Sequence, residues 1–504
     1  HIERVALNAT ANGQFTANVF LDNTNTANEV SAQIFSLDGK PVSNVFTTRI
    51  NKGDSVALFA TTVYAPLLWT SETPNLYRVV VTLLNNGKPV HTVQERFGFR
   101  TVEVRERDGV YINGTKVKFK GVNHHSFWPS SGRALSKRIS LIDVQLMKDM
   151  NMNAVRMSHY PADDHFYAVC DSLGLYVLDE LAGWHGHYDT ELGTQLAKAM
   201  IAKNGNHPSI VMWDNGNEGG HNYDLDAVFR EADLQKRPVI HPWEDYGGFD
   251  TQHYREYNYG IANYEHGHSI VMPTEFLHGM YDGGHGAGLQ DYWEAMWHNP
   301  LNAGGFLWDF ADQGVVRRDK NDSIDTDKNR GADGIVGPYR QKEGSYFAIK
   351  EIWSPIHVER REITDAFDGK INIENRYFFT NTNQCRFTWL LKNLLDTTKM
   401  TATGTIPSTD IQPSQKGTLQ LTLPSNWKLY DALYVTAYDA HQKEIFTWSF
   451  PIIRPADVVK AMFPADKNEN VKLVEEDTAY TATANGITVR INKRNGLLLQ
   501  VQNS

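Results

Sequence analysis

Along the first hundred residues apolar and polar positions alternate. "QFTANVF", "EVSAQIF", "YRVVVTLL" and "HTVQERFGF" turn successive side chains to opposite faces, and "NNGK", "DGK" and "NKGD" separate several such runs as turns. This pattern predicts a small immunoglobulin-like β-sandwich over residues 1–103. From 104 to 357 the rhythm changes to short continuous apolar runs: "VKFKGVN", "NAVRMSH", "LYVLDE", "SIVMWDNGNE", "PVIHP", "IVMPTEF" and "GGFLWDF". Amphipathic stretches such as "ISLIDVQLMKDM" and "ADDHFYAVCDSLG" lie between them. Buried strands alternating with helices predict a parallel sheet covered on both faces. Seven strands are clear and a weak eighth falls near Phe249–Tyr254, which over ~250 residues is the size of a (β/α)8 TIM barrel. Alternation returns over 358–455 ("KINIENRYFF", "FTWLLKN", "ALYVTAYD", "EIFTWSF"), predicting a second immunoglobulin-like sandwich. Residues 456–504 restart short strands, too few for an independent sheet, and read as the start of a truncated β-rich C-terminal domain. The expected fold class is multidomain: a (β/α)8 TIM barrel flanked by immunoglobulin-like β-sandwich domains.

Barrel enzymes carry their chemistry at the C-terminal ends of the strands. In this chain those ends are loaded with polar groups. Asn123-His124-His125 follow the first strand, Arg156 and His159 the second, and Asp179-Glu180 the third. Asn217-Glu218 follow the fourth, Glu275 the seventh and Trp308-Asp309 the eighth. Glu218 and Glu275 then face each other across the mouth. Two facing carboxylates suit glycoside hydrolysis, retaining at a separation of ~5–5.5 Å and inverting at ~6.5–9.5 Å. Asp179 and Glu180 read as supporting residues.

The formal net charge of −10 argues against a nucleic-acid surface. No apolar run approaches the ~18 residues of a membrane span. Cys170 and Cys385 fall in different predicted domains, so neither a disulfide framework nor a cysteine metal pair is expected. The 12 Trp and 22 Tyr could stack on sugars, although core packing is the default for most. The chain starts at His1 without a signal-peptide pattern; periplasmic, secreted and cytoplasmic locations, and a homo-oligomer, all fit the sequence.

The stretches "FGFRTVEV…INGTKVKFKGVNHH", "VRMSHYPADDHFYAVCDSLGLYVLDE", "NHPSIVMWDNGNE", "GGFLWDFADQG" and "DGIVGPYR" give the barrel a specific likeness. It resembles glycoside hydrolase family 2 and, within it, the β-galactosidases. "LLWTSETPNLYRV" looks like the family's sandwich segment before the barrel. The resemblance implies a retaining exo-acting hydrolase with Glu218 as acid/base and Glu275 as nucleophile. It also implies that Asn217 bonds the sugar 2-hydroxyl, and that His125, His159 and His278 meet sugar hydroxyls or developing charge. Arg156 would position the nucleophile, Trp308 would form an apolar platform, and Tyr254 would neighbour the nucleophile. The acid/base should have a pKa raised by a neighbouring carboxylate and partial desolvation.

The chain also departs from the family. Its usual N-terminal jelly-roll domain has no counterpart here, which implies an incomplete sugar pocket and reduced activity. Metal-dependent β-galactosidases carry Glu-x-His-Gly after the third strand; "DELAGWHGHYD" has Gly183 near the place of that glutamate and keeps His185. One hard oxygen ligand short, the stretch argues against Mg²⁺, and no cofactor is assigned. Tyr281-Asp282 stand where the family shows Gly-Asn, followed by "GGHGAG". An oligo- or polysaccharide-derived galactoside is therefore the expected substrate rather than plain lactose. The alternatives are β-mannosidase, β-glucuronidase (whose Asn-x-Lys motif is not found after Glu275) or a non-catalytic carbohydrate-binding protein.

Overall fold

The computed structural model describes residues 1–22, 24, 27–257, 267–280, 285–359, 362–394, 401–462 and 471–503. An N-terminal sandwich packs the sheet of Ile2–Ala9, Gln14–Leu21 and Val56–Thr62 against that of Phe46–Arg49, Glu29–Ser36, Tyr77–Asn85 and Lys88–Phe97. The alternation in the sequence is the alternation of burial: Phe15, Val19, Ile34, Val79 and Phe97 fill the space between the sheets.

The barrel strands are β1 (Phe119–His124), β2 (Ala154–Met157), β3 (Tyr176–Trp184), β4 (Ile210–Asn217), β5 (Val239–Ile240), β6 (Phe249–Asp250), β7 (Ile270–Val271) and β8 (Gly304–Leu307). Parallel ladders join β1 to β5 in order, β6 to β7, and β8 back to β1. Parallel bridges Val271–Asn302 and Phe276–Leu307 connect β7 to β8. Among the described residues no ladder joins β5 to β6. The weak eighth strand is confined to Phe249–Asp250, so Tyr254 lies beyond it.

Helices α1 (Lys137–Asp149), α2 (Asp164–Leu173), α3 (Thr190–Asn204) and α4 (Leu225–Ala232) make the first four crossovers. Ser136 and Asp189 cap α1 and α3 by accepting the Ile139 and Leu192 amides. Helix α5 (His285–His298) precedes β8, and α6 (Gly344–Ile352) follows it. The β5–β6 link is instead a short arm in which Asp245–Tyr246 runs antiparallel to β6.

Phe119, Tyr176, Leu178, Met212, Ile270 and Phe306 fill the barrel interior. Val110, Ile112 and Val117, from the hairpin of Gly109–Ile112 and Thr115–Val117, plug its N-terminal end. In β4 a bulge sets Ile210 opposite Val177 and Met212 opposite Leu178. Val211 and Met212 belong to the interior cluster, whereas Ile210 and Trp213 pack with the helices.

A second sandwich pairs Ile356–Val358, Lys370–Asn375 and Lys416–Gln420 with Ala402–Ile406, Arg386–Lys392, Ala432–Tyr438 and Glu444–Pro451. Glu72 locks it to the first sandwich by accepting the Phe378 and Phe379 amides and the Thr380 hydroxyl. A cavity of about 860 Å³, lined by Glu72, Lys120, Lys148 and Arg376 among others, lies at this seam, away from the barrel mouth. The tail corrects one expectation. Lys472–Glu475, Ala479–Ala484, Ile487–Asn492 and Leu498–Asn503 pair with one another as a four-stranded antiparallel sheet. Among the described residues no helix is long and apolar enough to cross a membrane.

Candidate active site

The mouth is organised by Arg156, at the end of β2 and fully buried. Its Nε donates to Asp214 Oδ2 (2.9 Å), and Nη1 donates to Asn123 Oδ1 (3.0 Å) and Glu275 Oε1 (2.9 Å). Nη2 donates to Asn217 Oδ1 (2.7 Å) and to Glu180 Oε2. Burial works against the guanidinium charge, but Glu180, Glu275 and Asp214 together raise its pKa. Burial pushes Glu180 up to about 8 and Asp214 well above the ordinary carboxylate range.

Glu275 follows β7 and is buried. The Tyr254 hydroxyl donates to its Oε2, and the Tyr254 amide donates to its carbonyl (2.9 Å). His159 lies with Nδ1 3.0 Å from Glu180 Oε1 and Nε2 3.8 Å from Glu275 Oε1. Its ring stacks on Trp308 at 5.3 Å, and His125 meets both rings edge-on. Trp308 is fixed by its Nε1–H to Asp333 (2.9 Å). His278 sits 3.8 Å from Asp333 and beside the rings of Tyr254 and Trp308. Burial pushes His125 and His159 well below the usual histidine range, so they are neutral rings at pH 7. These residues thus converge on one mouth, whereas His124 and Asp179 bond Asp143, Tyr167 and Asn204 of the surrounding helices. Tyr281 and Asp282 lie outside the described residues.

Glu218 is presented differently. Gly216 at φ +77°, Glu218 at +44° and Gly219 at +84° turn the chain sharply after β4. The turn is as tight as backbone allows. A Cβ on Gly216 would lie 2.3 Å from the Gly220 carbonyl oxygen, and one on Gly183 would lie 2.5 Å from the same atom. Asn217 spends its Oδ1 on Arg156, so its amide N–H groups are the part left for a ligand. Glu218 is only partly buried. Trp184 donates Nε1–H to its Oε2 (2.7 Å), and His253 Nδ1 lies 3.0 Å from its Oε1. His253 Nδ1 is also 3.4 Å from Glu275 Oε2. One oxygen of Glu218 and one of Glu275 lie within 4.8 Å of each other.

This overturns the expectation of a raised Glu218. The contacts from His253 and then Trp184 favour the carboxylate, outweigh burial, and hold Glu218 down to about 2. The metal expectation is tested by the same loop. A glutamate at position 183 is excluded by the Gly220 backbone, and His185 lies with Nδ1 3.0 Å from the Glu218 carbonyl. The residues after β3 do not fit the Mg²⁺ ligand set, and Trp184 and His253 hold the carboxylate instead.

Trp184, Trp243 and His253 were missed by sequence reasoning, although Trp184 stands four residues after Glu180 and His253 adjoins Tyr254. Trp184 is 64% exposed and Trp243, at φ +82°, is 47% exposed. Behind them His241 bonds Asp226 through Nε2 (2.9 Å), faces Glu244 through Nδ1 (3.3 Å) and stacks on His221. This cluster braces the loop after β4 against the loop after β5.

The comparisons with known proteins agree with this geometry. Residues 102–358 match the model of the glycosyl hydrolases family 2 TIM barrel domain, and residues 1–100 match that of glycosyl hydrolases family 2. The chain belongs to glycoside hydrolase family 2. It is 28% identical over 94% of its length to a β-galactosidase of Alteromonas mediterranea, and 32% identical over 65% to one of Aeromonas hydrophila. It spans 49% and 36% of those proteins, respectively. Among solved structures, a β-glucuronidase of Parabacteroides merdae superimposes with a TM-score of 0.61 over 99% of this chain and 69% of its own, at 17% identity. One of Bifidobacterium dentium does so at 0.58 over 70% and 66%, at 22% identity.

Proposed function

We propose that this chain is the catalytic part of a retaining, exo-acting glycosidase that removes terminal β-galactosyl units from an oligo- or polysaccharide-derived substrate. The observation that carries the reading is the approach of Glu218 and Glu275. Oxygens within 4.8 Å of each other suit the close pairing of carboxylates that a retaining mechanism uses. The naming of its sequence relatives as β-galactosidases supports the sugar. The proposed domains remain 1–103, 104–357, 358–455 and 456–504.

In this reading Glu275, held by Arg156 and Tyr254, attacks the anomeric carbon. Glu218 protonates the departing oxygen, then removes a proton from the water that releases the sugar. The Asn217 amide donates to the 2-hydroxyl. Trp308, His159, His125 and His278 line the side of the bound sugar. Trp184 and Trp243, on the Glu218 side, offer faces to the leaving group.

A panel of nitrophenyl β-glycosides tests the reading on the wild-type chain and on Glu275→Gln. Turnover of the galactoside with the β-anomer released first, abolished in the variant, is the expected result. Preference for the glucuronide or mannoside would replace the sugar. Galactose binding without turnover of any β-glycoside would make the protein a binding module.

A further inference from the structure

His253 lies between the two carboxylates, its Nδ1 3.0 Å from Glu218 Oε1 and 3.4 Å from Glu275 Oε2. It is buried, with 1% of its side chain exposed. Its Nε2 is 2.9 Å from the Thr274 hydroxyl, and that hydroxyl donates its single proton to the Thr251 carbonyl (3.0 Å). The Thr274 oxygen is thus left as an acceptor, and His253 Nε2 carries a hydrogen. Only Nδ1 can then change its protonation, and it faces Glu218 Oε1 at 3.0 Å. Nitrogen and oxygen at that distance need one proton between them; without it two lone pairs confront each other in a buried site.

We propose that His253 is a positioning residue that shares this one proton with Glu218, so that the pair rather than Glu218 alone arms the departure of the leaving group. The proposal rests on the glycosidase reading above. Step one breaks the bond between the anomeric carbon and the leaving oxygen. The electron pair stays on that oxygen, which takes the shared proton from Glu218, while Glu275 bonds to the carbon. The pair now holds no proton: His253 is neutral with a lone pair on Nδ1, and Glu218 is a carboxylate 3.0 Å away. Their confrontation makes the pair a strong base. In step two water attacks the carbon, the bond to Glu275 breaks, and the water's proton returns to the Glu218–His253 contact.

The surroundings fit a shared proton. Contact with His253 is the largest influence holding Glu218 low, whereas burial pushes His253 down from 6.5. A neutral His253 has no second N–H to hold Glu218 low, so the two titrate as a unit. The other charged groups facing His253 are Glu275, which favours an added proton, and Arg156, which opposes it. Glu275 loses its charge when it carries the sugar, and this withdraws support for a proton on Nδ1 at the stage when the pair must be empty.

The experiment measures kcat/KM against pH for 2,4-dinitrophenyl and phenyl β-galactosides. The variants are His253→Asn, which keeps an N–H donor toward Glu218, and His253→Gln, which reaches toward Thr274 instead. Circular dichroism and melting establish that each is folded, and two variants with opposite contacts guard against the loss of one. The phenyl leaving group needs a proton and the dinitrophenyl group does not. The ratio of dinitrophenyl to phenyl kcat/KM should rise roughly 100-fold in both variants, the size of one general-acid contribution. The alkaline limb for the phenyl substrate should fall by ~1 pH unit or more in His253→Asn, because an amide cannot take up the shared proton and a carboxylate titrating by itself does so below the histidine range. A folded variant that keeps the wild-type ratio or the wild-type limb overturns the proposal. Failure of the wild-type chain to cleave either galactoside would instead overturn the glycosidase reading itself.

Discussion

At the closed end of the barrel Lys118 and Lys120 reach only carbonyl oxygens; at the open end Arg156 reaches three carboxylates. Lys118 Nζ donates to the carbonyls of Met296, Asn299 and Asn302 (2.7–2.8 Å), and Lys120 Nζ to that of Trp353 (2.8 Å). Burial pushes both ammonium groups down to about 7. A carbonyl satisfies a hydrogen bond but supplies no countercharge, so the cation is tolerated rather than stabilised. Arg156, equally buried, moves the other way because its partners can carry charge. The difference separates architecture from chemistry more sharply than cavity volume does, since a cavity of about 860 Å³ lies at the closed end.

That contrast can be broken by substitution. The largest effect is expected at Glu275. Glu275→Ala should lower kcat/KM on every β-galactoside by roughly 10⁴-fold or more, since the covalent step is lost, while Arg156 keeps two other carboxylates and the fold survives. Melting curves alongside the kinetics check both halves. Next is Glu218→Ala, which should lose roughly 10²–10⁴-fold on phenyl galactoside and far less on the dinitrophenyl compound. Azide should then yield the β-galactosyl azide by NMR; an α-azide would mean that the two glutamates have exchanged roles.

Smaller still is Trp243→Ala. It should raise KM for a β-galactosyl disaccharide about ten-fold relative to β-galactosyl fluoride, whose leaving group is too small to reach an indole. Equal changes on both would remove Trp243 from the leaving-group side. Lys120→Met belongs to the other end and should shift kcat/KM by no more than about two-fold. Its signature is in stability. Lys120 has a folded pKa of about 7, below its unfolded value of ~10.4, so between those values the unfolded chain binds the extra proton. Wild-type stability should therefore gain on the variant as pH rises from 7 to 10, and Tm differences at several pH values measure this. EDTA should leave activity unchanged; loss restored by Mg²⁺ would contradict the reading of Gly183.

Much of this was legible because burial writes itself into pattern. Apolar runs marked every barrel strand but β6, and of the polar residues that ended them Arg156, Asn217, Glu218, Glu275 and Trp308 reached the mouth, whereas His124 and Asp179 bond residues of the surrounding helices. The stretch from β5 to β7, with β6 inside it, was harder to bound. Its strands are two residues each, and "HPWEDYGGFDTQHY" carries little apolar periodicity. Tyr254 came through likeness alone. Trp184 meets Glu218 from the end of β3 and His253 from beyond β6, with Trp243 beside His253 from the loop after β5, an encounter no local spacing records. The depressed Glu218 was misjudged for the same reason: a neighbouring carboxylate and burial could be anticipated, but a histidine inserted between the two acids could not.

The contact of Gly183 with Gly220 has an evolutionary side. Restoring the glutamate of the metal-dependent relatives is one codon away from glycine on paper, yet its Cβ would strike the neighbouring loop before any ligand atom could act. The loop after β4 would have to move at the same time, and with it Glu218. Two ways of holding an acid/base glutamate, by a cation or by an indole and an imidazole, are thus separated by a steric barrier that no single substitution crosses.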